Sequence, residues 1–373
     1  MILETVKLGD ILEYEQPTKY IVDSVNYEDG FKIPVLTAGK SFVLGYTDET
    51  TGIFDNLPVI IFDDFTTAFH YVDFPFKVKS SAMKILKPVK ERADIKYLFY
   101  KMQTISIDND LHKRYWISTY SQIQILLPSL PQQQKIANIL DAADALRQND
   151  KALIAKYDEL TQALFLDMFG DPVSNPKGWE KVLLKSVCTK ITDGTHFSPE
   201  PQEKGFPYIT AKHVKNHGLD FYSKPTYISE EAHAEIYKRC TPEYGDVLYI
   251  KDGATTGIAC INTFDEPFSM LSSLALIKPN KKTLNSYYLC HWLNNPKIKS
   301  KLLSEFMSGA AIQRYTLTKI NSFELCIPSI DLQNQFAERV AVIEEQKAIA
   351  QKSLEKSEEL FNSLLQKAFK GAL

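Results

Sequence analysis

Leu127-Pro128-Ser129-Leu130 returns two hundred residues later as Ile327-Pro328-Ser329-Ile330. The offset of 200 then holds without a gap to the end of the chain: Gln133 matches Gln333, Asp144 matches Glu344, Ile154 matches Leu354, and Phe169 matches Phe369. Upstream the repeat continues more loosely. Arg114-Tyr115-Trp116-Ile117-Ser118 matches Arg314-Tyr315-Thr316-Leu317-Thr318 at the same offset. Ile85-Leu86-Lys87-Pro88 matches Leu276-Ile277-Lys278-Pro279 at 191, Pro34–Ala38 matches Pro207–Ala211 at 173, and Val6–Ile11 matches Val182–Val187 at 176. An offset that drifts and then locks describes a globular unit with variable loops followed by a rigid element of fixed length.

The periodicity predicts that the rigid element is a long helix. The positions 336, 340, 343, 347, 350, 354, 357, 361, 364 and 368 hold Phe, Val, Ile, Lys, Ala, Leu, Ser, Phe, Leu and Ala. Their counterparts from 136 to 168 hold Ile, Leu, Ala, Arg, Asp, Ile, Tyr, Thr, Leu and Met. Alternating steps of four and three put these residues on one face, the seam of a coiled coil. Ile136, Leu140, Ile154, Leu164, Phe336, Val340, Ile343, Leu354, Phe361 and Leu364 are its apolar anchors. Pro131 suits a helix start, and Gly170 and Gly371 suit helix ends. A long helix with one apolar stripe is poorly stable alone. The intervening globular unit lets the second helix return antiparallel to the first.

The expected organisation is therefore a first globular domain over 1–130, a helix over 131–170, a second domain over 171–329 and a closing helix over 330–373. Both domains carry short apolar runs bounded by turns, such as Leu57–Phe62, Phe76–Lys79, Val247–Ile250 and Leu274–Ile277. Each also carries one shorter helix, near Ile95–Gln103 and Asn285–Leu293. The fold class is α+β: two mixed globular domains separated by two long helices, with an internal pseudo-two-fold repeat.

Composition bounds the chain further. Its 373 residues are 44% hydrophobic and 24% charged, which excludes disordered or low-complexity character. There is no apolar run of membrane-spanning length and no secretory leader pattern at Met1–Lys7, so a cytoplasmic location is expected. Cys188, Cys240, Cys260, Cys290 and Cys326 are unevenly spaced without Cys-x-x-Cys, as expected of reduced buried thiols. The net charge of −3 does not by itself suggest a nucleic-acid binder. Only residues 171–330 are positive, with 19 Lys and Arg against 16 Asp and Glu.

Catalytic signatures are missing. The sequence has no phosphate-binding Gly-rich loop, no dinucleotide fingerprint and no Asn-Pro-Pro-Tyr or Asp-Pro-Pro-Tyr element. Glu345-Gln346-Lys347 lies within the helical stripe. His213 and His217 are four apart, but Gly218 makes the segment irregular and no third ligand is evident, so no metal site is expected.

Two related domains and two related helices form a ruler suited to reading two short sites a fixed distance apart. Several ordered strings sharpen this: Trp179–Val187, Thr192-Asp193-Gly194-Thr195-His196-Phe197-Ser198-Pro199, Asp246–Thr255, Ser308–Tyr315, and the two Pro-Ser helix entries followed by Gln. In these the chain resembles, over essentially its whole length, the specificity subunit of type I restriction–modification systems. The first domain departs from the pattern. It lacks Asp-Gly-Thr-His, and its central element reads Ile61–His70, so the halves are expected to read different sequences.

The resemblance implies a chain that binds no cofactor and catalyses nothing. It would bind double-stranded DNA at a bipartite site and place two modification subunits there. Those subunits carry S-adenosylmethionine and methylate adenine, while restriction subunits join to translocate and cleave. The helices would set the spacer and dock the modification subunits. Candidate DNA contacts are Lys40, Thr66, His70, Lys79, His112, Lys113, Arg114 and Tyr115 in the first domain. In the second they are Thr195, His196, Lys212, His213, Lys251, Thr255, Gln313, Arg314 and Tyr315. Arg114 and Arg314 stand at equivalent places before the two helices, suited to gripping the DNA backbone. Two other classes stay open. A coiled-coil scaffold without DNA specificity would show no DNA binding with partners present, and a degenerate enzyme would methylate as a purified chain.

Overall fold

The apolar runs become the central strands of two similar sandwiches. The structure, a computed structural model, describes residues 3–37, 41–89, 91–107, 114–216, 218–306 and 314–370. The chain divides into two compact units, Met1–Lys151 with Lys352–Leu373, and Ala152–Gln351. Each unit thus takes in part of both long helices.

The first unit contains, in chain order, strands β1 (Glu4–Lys7), β2 (Leu12–Glu15), β3 (Ile33–Leu36), β4 (Val43–Thr47), β5 (Val59–Asp63), β6 (Phe69–Val72), β7 (Lys77–Val78) and β8 (Met83–Pro88). Helices α1 (Ile95–Gln103) and α2 (Tyr115–Ser118), strand β9 (Gln124–Leu127) and the start of α3 (Leu130–Phe169) follow. One sheet has the order β2-β8-β5-β6, another β4-β3-β7, and β1 pairs antiparallel with β9 immediately before α3.

The second unit repeats this. Its strands are β10 (Glu180–Leu183), β11 (Cys188–Asp193), β12 (Phe206–Ile209), β13 (Val214–Lys215), β14 (Gly218–Leu219), β15 (Tyr227–Ile228), β16 (Val247–Ile250), β17 (Ala259–Ile261), β18 (Ser269–Met270), β19 (Leu274–Pro279) and β20 (Glu324–Ile327). Its helices are α4 (Glu230–Tyr237), α5 (Ser286–Asn294), α6 (Pro296–Phe306), α7 (Leu317–Asn321) and the start of α8 (Ile330–Phe369). The orders β11-β19-β16-β17, β15-β12-β18 and β10-β20 match the three sheets of the first unit strand for strand. The hairpin β13-β14 and helices α4 and α6 are additions.

The continuous apolar runs have a physical reason. β5 and β16 are covered on both faces, and successive side chains of a strand point to opposite faces. Ile60 and Phe62 enter one core with Leu98, Met102 and Trp116, while Val59 and Ile61 enter another with Leu36, Val72 and Val78. In the second unit Val247 and Tyr249 pack with α5, and Leu248 and Ile250 pack with Ile209 and Met270.

The helices α3 and α8 are 40 residues each, roughly 60 Å at ~1.5 Å per residue. All the stripe positions predicted from the 4,3 spacing are buried or half-buried. In the first unit, Ile136, Leu140 and Ala143 of α3 share a core with Phe361 and Ala368 of α8. Ser357 donates to Asp150 at 2.8 Å, and Lys151 pairs with Glu358 at 3.2 Å. In the second unit Phe165 and Phe169 pack against Phe336 with ring centroids 5.7 and 5.2 Å apart, and Lys347 pairs with Asp158. In each unit the numbering falls along one helix as it rises along the other, so each helix pair is antiparallel. The polar stripe residues have partners of their own: the Arg147 guanidinium lies 4.2 Å from the Phe361 ring centroid. Gly170, at φ +78°, caps α3 with its N–H on Leu166. Gly371 lies outside the described residues.

Candidate nucleic-acid interface

The Asp-Gly-Thr-His string begins on the last residue of β11, and the structure gives each of its residues a separate task. The Asp193 carboxylate, 5% exposed, gathers three cationic or basic groups. Arg239 Nη2 reaches Oδ1 at 2.5 Å, and Lys251 Nζ and His196 Nε2 stand 3.4 and 3.6 Å from Oδ2. Arg239 also donates to the carbonyls of Asp193 and Gly194, at 3.1 and 2.9 Å. Gly194 is required because a Cβ there would lie 1.8 Å from the Met270 carbonyl oxygen. That close crossing lets Thr195 donate its backbone N–H to Met270 at 2.9 Å. Thr195 is buried, and its hydroxyl accepts from the Phe197 N–H at 3.3 Å. His196 follows with its side chain 67% exposed, and Phe197 beside it is exposed too.

The turn after β16 abuts this hub. Lys251 is buried with Asp193, and its carbonyl accepts from the Tyr315 N–H at 2.7 Å. Asp252 and Arg314 form a bridge between extended segments, and their side chains pair at 2.5 Å with a second bond from Nε at 2.8 Å. The carboxylate raises the guanidinium's pKa, and the group remains 64% exposed. Thr255, at the tip of the same turn, is exposed.

The first unit has a shorter turn at the same place, with other chemistry: Phe62 pairs with Phe69 across it, where Tyr249 pairs with Ala259 in the second unit. Asp64 occupies the place of Lys251, and its carbonyl accepts from the Tyr115 N–H at 3.0 Å. Its carboxylate accepts from the Trp116 N–H at 2.8 Å and faces Lys84 at 3.5 Å, both side chains 3% exposed. The strand register equates Lys84 with Ala275, since Phe62 pairs with Lys84 and Tyr249 with Ala275. Asp63 Oδ1 accepts from the N–H groups of Phe65 and Thr66 at 2.7 and 2.8 Å, which sets the exposed tip Phe65-Thr66. His70 is half-buried, stacked on Phe42 at 4.2 Å, and burial lowers its pKa.

Thr66, Lys79, Arg114, His196, Lys212, Thr255 and Arg314 therefore stand at the surface, with Lys212 also donating to Thr226 at 2.6 Å. Five candidates need correction, the buried Thr195 among them. Tyr115 and Tyr315 are core residues; Tyr315 packs on Tyr249 and Phe323 with centroids 5.9 and 5.4 Å away. Their matched Arg-Tyr pairs place the tyrosine inward and the arginine outward. His213 is fully buried, its Nδ1 accepting from the Thr210 N–H and its Nε2 on the Lys224 carbonyl, both at 3.0 Å. With both ring nitrogens engaged it is free neither for a base edge nor for a metal. Lys251 neutralises Asp193 instead of facing solvent. Lys40, His112, Lys113, Gln313 and His217 lie outside the described residues. Sequence reading passed over Arg239, Asp252 and Lys84. Arg239 follows α4, an addition with no counterpart in the first half, so the repeat gave no signal for it.

Among the described residues no group of three His, Cys, Asp or Glu side chains could hold a metal, and no helix is long and apolar enough to cross a membrane. The five thiols are unpaired; burial pushes those of Cys188, Cys240 and Cys290 up to about 12, so they are not nucleophiles at neutral pH.

A family model described as the type I restriction modification DNA specificity domain matches residues 3–156 and again 176–359. The chain is 32% identical over 358 residues to the type I restriction enzyme EcoR124I/EcoR124II specificity subunit of Escherichia coli, covering 90% of this chain and 85% of that one. It is 25% identical to the MjaIX specificity subunit of Methanocaldococcus jannaschii over 69% of its own length and 62% of the relative's. Its fold is similar to the crystal structure of a type I restriction–modification system S subunit from M. genitalium, with TM-score 0.61 and 15% identity over 99% of this chain and 96% of that one. A second solved chain, from work on complex assembly and conformational transition of the type I system, gives TM-score 0.52 and 18% identity, covering 100% of this chain and 98% of that one.

Proposed function

The chain belongs to the type I restriction–modification DNA specificity family, and on that premise we propose that it is the DNA-reading subunit of such a complex, each unit reading one half of a bipartite site. The observation that carries the reading is the duplication itself. Two units share one strand order, and each presents an exposed turn with an arginine beside it, Arg114 in one and Arg314 in the other.

The division of labour follows from the chemistry. Arg114, Arg314, Lys79 and Lys212 suit phosphate oxygens, and the tips Phe65-Thr66 and His196-Phe197 suit groove edges. Lys251 and Asp193 hold the second tip in place without touching DNA. The chain itself supplies neither cofactor nor catalysis. S-adenosylmethionine belongs to two modification subunits docked on the exposed faces of α3 and α8, and restriction subunits join that assembly in the cytoplasm.

The test is methylation mapping by long-read sequencing. The chain is co-expressed with its modification subunit in a host lacking adenine methylation. The expected product is a split motif of two short half-sites with adenine methylated on both strands. A stable co-purified complex that leaves DNA unmethylated would instead favour a scaffold. Four residues inserted between Ala143 and Asp150 are expected to lengthen the spacer of that motif.

A further inference from the structure

We propose that Gln133 and Gln333 are positioning residues that fix the angle at which each ruler helix leaves its domain, and so set how strictly the spacer length is enforced. This rests on the reading of the chain as a holder of two half-site readers.

Both glutamines sit in the first turn of a 40-residue helix, and both are fully buried. A neutral buried amide has two donors and one acceptor oxygen to satisfy. Gln133 Nε2 donates to the carbonyls of Pro128 at 2.8 Å and Arg92 at 3.0 Å, and its Oε1 accepts from the Asp94 N–H at 2.8 Å. Gln333 Nε2 donates to Pro328 at 2.8 Å and Thr283 at 3.1 Å, and its Oε1 accepts from the Asn285 N–H at 2.9 Å. The two clasps are the same device built twice.

What each clasp joins gives it its consequence. Pro128 and Pro328 belong to the entry into the long helix. Asp94 and Asn285 are the N-caps of α1 and α5, whose side chains accept from Tyr97 at 2.9 Å and Tyr287 at 2.8 Å. One amide therefore ties the first turn of the ruler to the first turn of the domain's packed helix. No other polar side chain offers this set: Glu would turn an oxygen toward two carbonyls, and an apolar residue would leave three backbone groups unpaired. A lever magnifies any looseness at its root. About 5° of play displaces a point ~60 Å along the helix by about 5 Å, more than the ~3.4 Å rise of one base pair.

The experiment uses the assembled modification complex with Gln133→Met, Gln333→Met and, as milder variants, Gln133→Asn and Gln333→Asn, whose amide is one methylene too short to span all three partners. Adenine methylation is measured on three duplexes with the same half-sites and the spacer native, shortened or lengthened by one base pair. The ratio of off-spacer to native-spacer methylation is expected to rise about tenfold, as ~1.4 kcal/mol less orientation energy would give. A loss of stability alone would lower all three rates together and leave the ratio unmoved, which would overturn the proposal. Failure of both Met and Asn variants to assemble would also overturn it, because the glutamines would then be folding elements. If the wild-type complex methylates none of the duplexes, the bipartite-site reading itself has failed.

Discussion

The turn after the central strand is built twice from opposite charges. In the first unit a carboxylate, Asp64, directly follows the strand and Lys84 on the neighbouring strand neutralises it. In the second unit a lysine, Lys251, stands in the place of Asp64, an alanine in the place of Lys84, and the carboxylate is Asp193 on the strand beyond. Both arrangements solve one problem. A buried charge is tolerated only when paired and hydrogen-bonded. The second solution leaves Asp193 able to hold two further groups, Arg239 and His196, close to the surface. The sign of the buried charges and the length of the turn both differ between the units, so the two turns present different groups at the surface.

This comparison can be broken by moving charges between units. Asp64→Lys alone places two lysines together in a buried site and is expected to cost about 3–5 kcal/mol of unfolding free energy, read by denaturant melts. Adding Gln16→Asp and Lys84→Ala transplants the second unit's arrangement, Gln16 being the residue after β2 where Asp193 ends β11. The triple variant is expected to recover more than half of the loss; no recovery would show that the two solutions are not interchangeable.

The helix pairs offer a second contrast. In the first unit Phe361 fills the junction under Arg147 and beside Tyr100. The repeat puts Thr161 at the matching place in the second unit, where a cavity of about 310 Å³ is lined by Asp158, Thr161, His291, Glu344 and Lys347 among others. Phe361→Ala is therefore expected to cost about 3–4 kcal/mol, and Thr161→Ala under about 1 kcal/mol, both by thermal unfolding. Equal losses would remove the contrast.

The same cavity makes stability sensitive to acid. Burial, with Lys347 adding to it, holds His291 down to about 4 from the ordinary 6.5. The unfolded chain then binds a proton as the pH falls through 6.5 while the folded chain does not, so stability is lost between pH 6.5 and 4 and levels below. About 2 kcal/mol is expected after partial solvent screening. His291→Gln should flatten that part of the stability profile.

The smallest effect sharpens the functional comparison. Arg314→Ala should weaken DNA binding by the assembled complex about tenfold and reduce the salt slope by about one. Subunit assembly should be intact, since among the described residues the side chain pairs with Asp252 at the surface. An unchanged dissociation constant at two salt concentrations would remove it from the interface.

Much of this molecule was legible before its structure. The repeat at offset 200 needs no geometry, the alternating steps of four and three report the buried stripe of the long helices, and apolar runs bounded by turns mark the central strands. Period says little about direction at an irregular turn. Arg314 and Tyr315 look alike as candidates, yet one faces solvent and the other the core, because their extended segment alternates sides beside Asp252. His213 and Lys251 looked like surface groups for the same reason; His213 is held by a local bond from the Thr210 N–H and by the Lys224 carbonyl, and Lys251 by the distant Asp193 carboxylate. The sequence by itself determined the duplicated plan, the length of the helices and the face each buries, since these depend on local periodicity. The tertiary structure alone decided which polar residues are partners and which are free, because hydrogen bonds and ion pairs join residues far apart in the chain, such as Asp193 with Arg239 and Gln333 with Asn285.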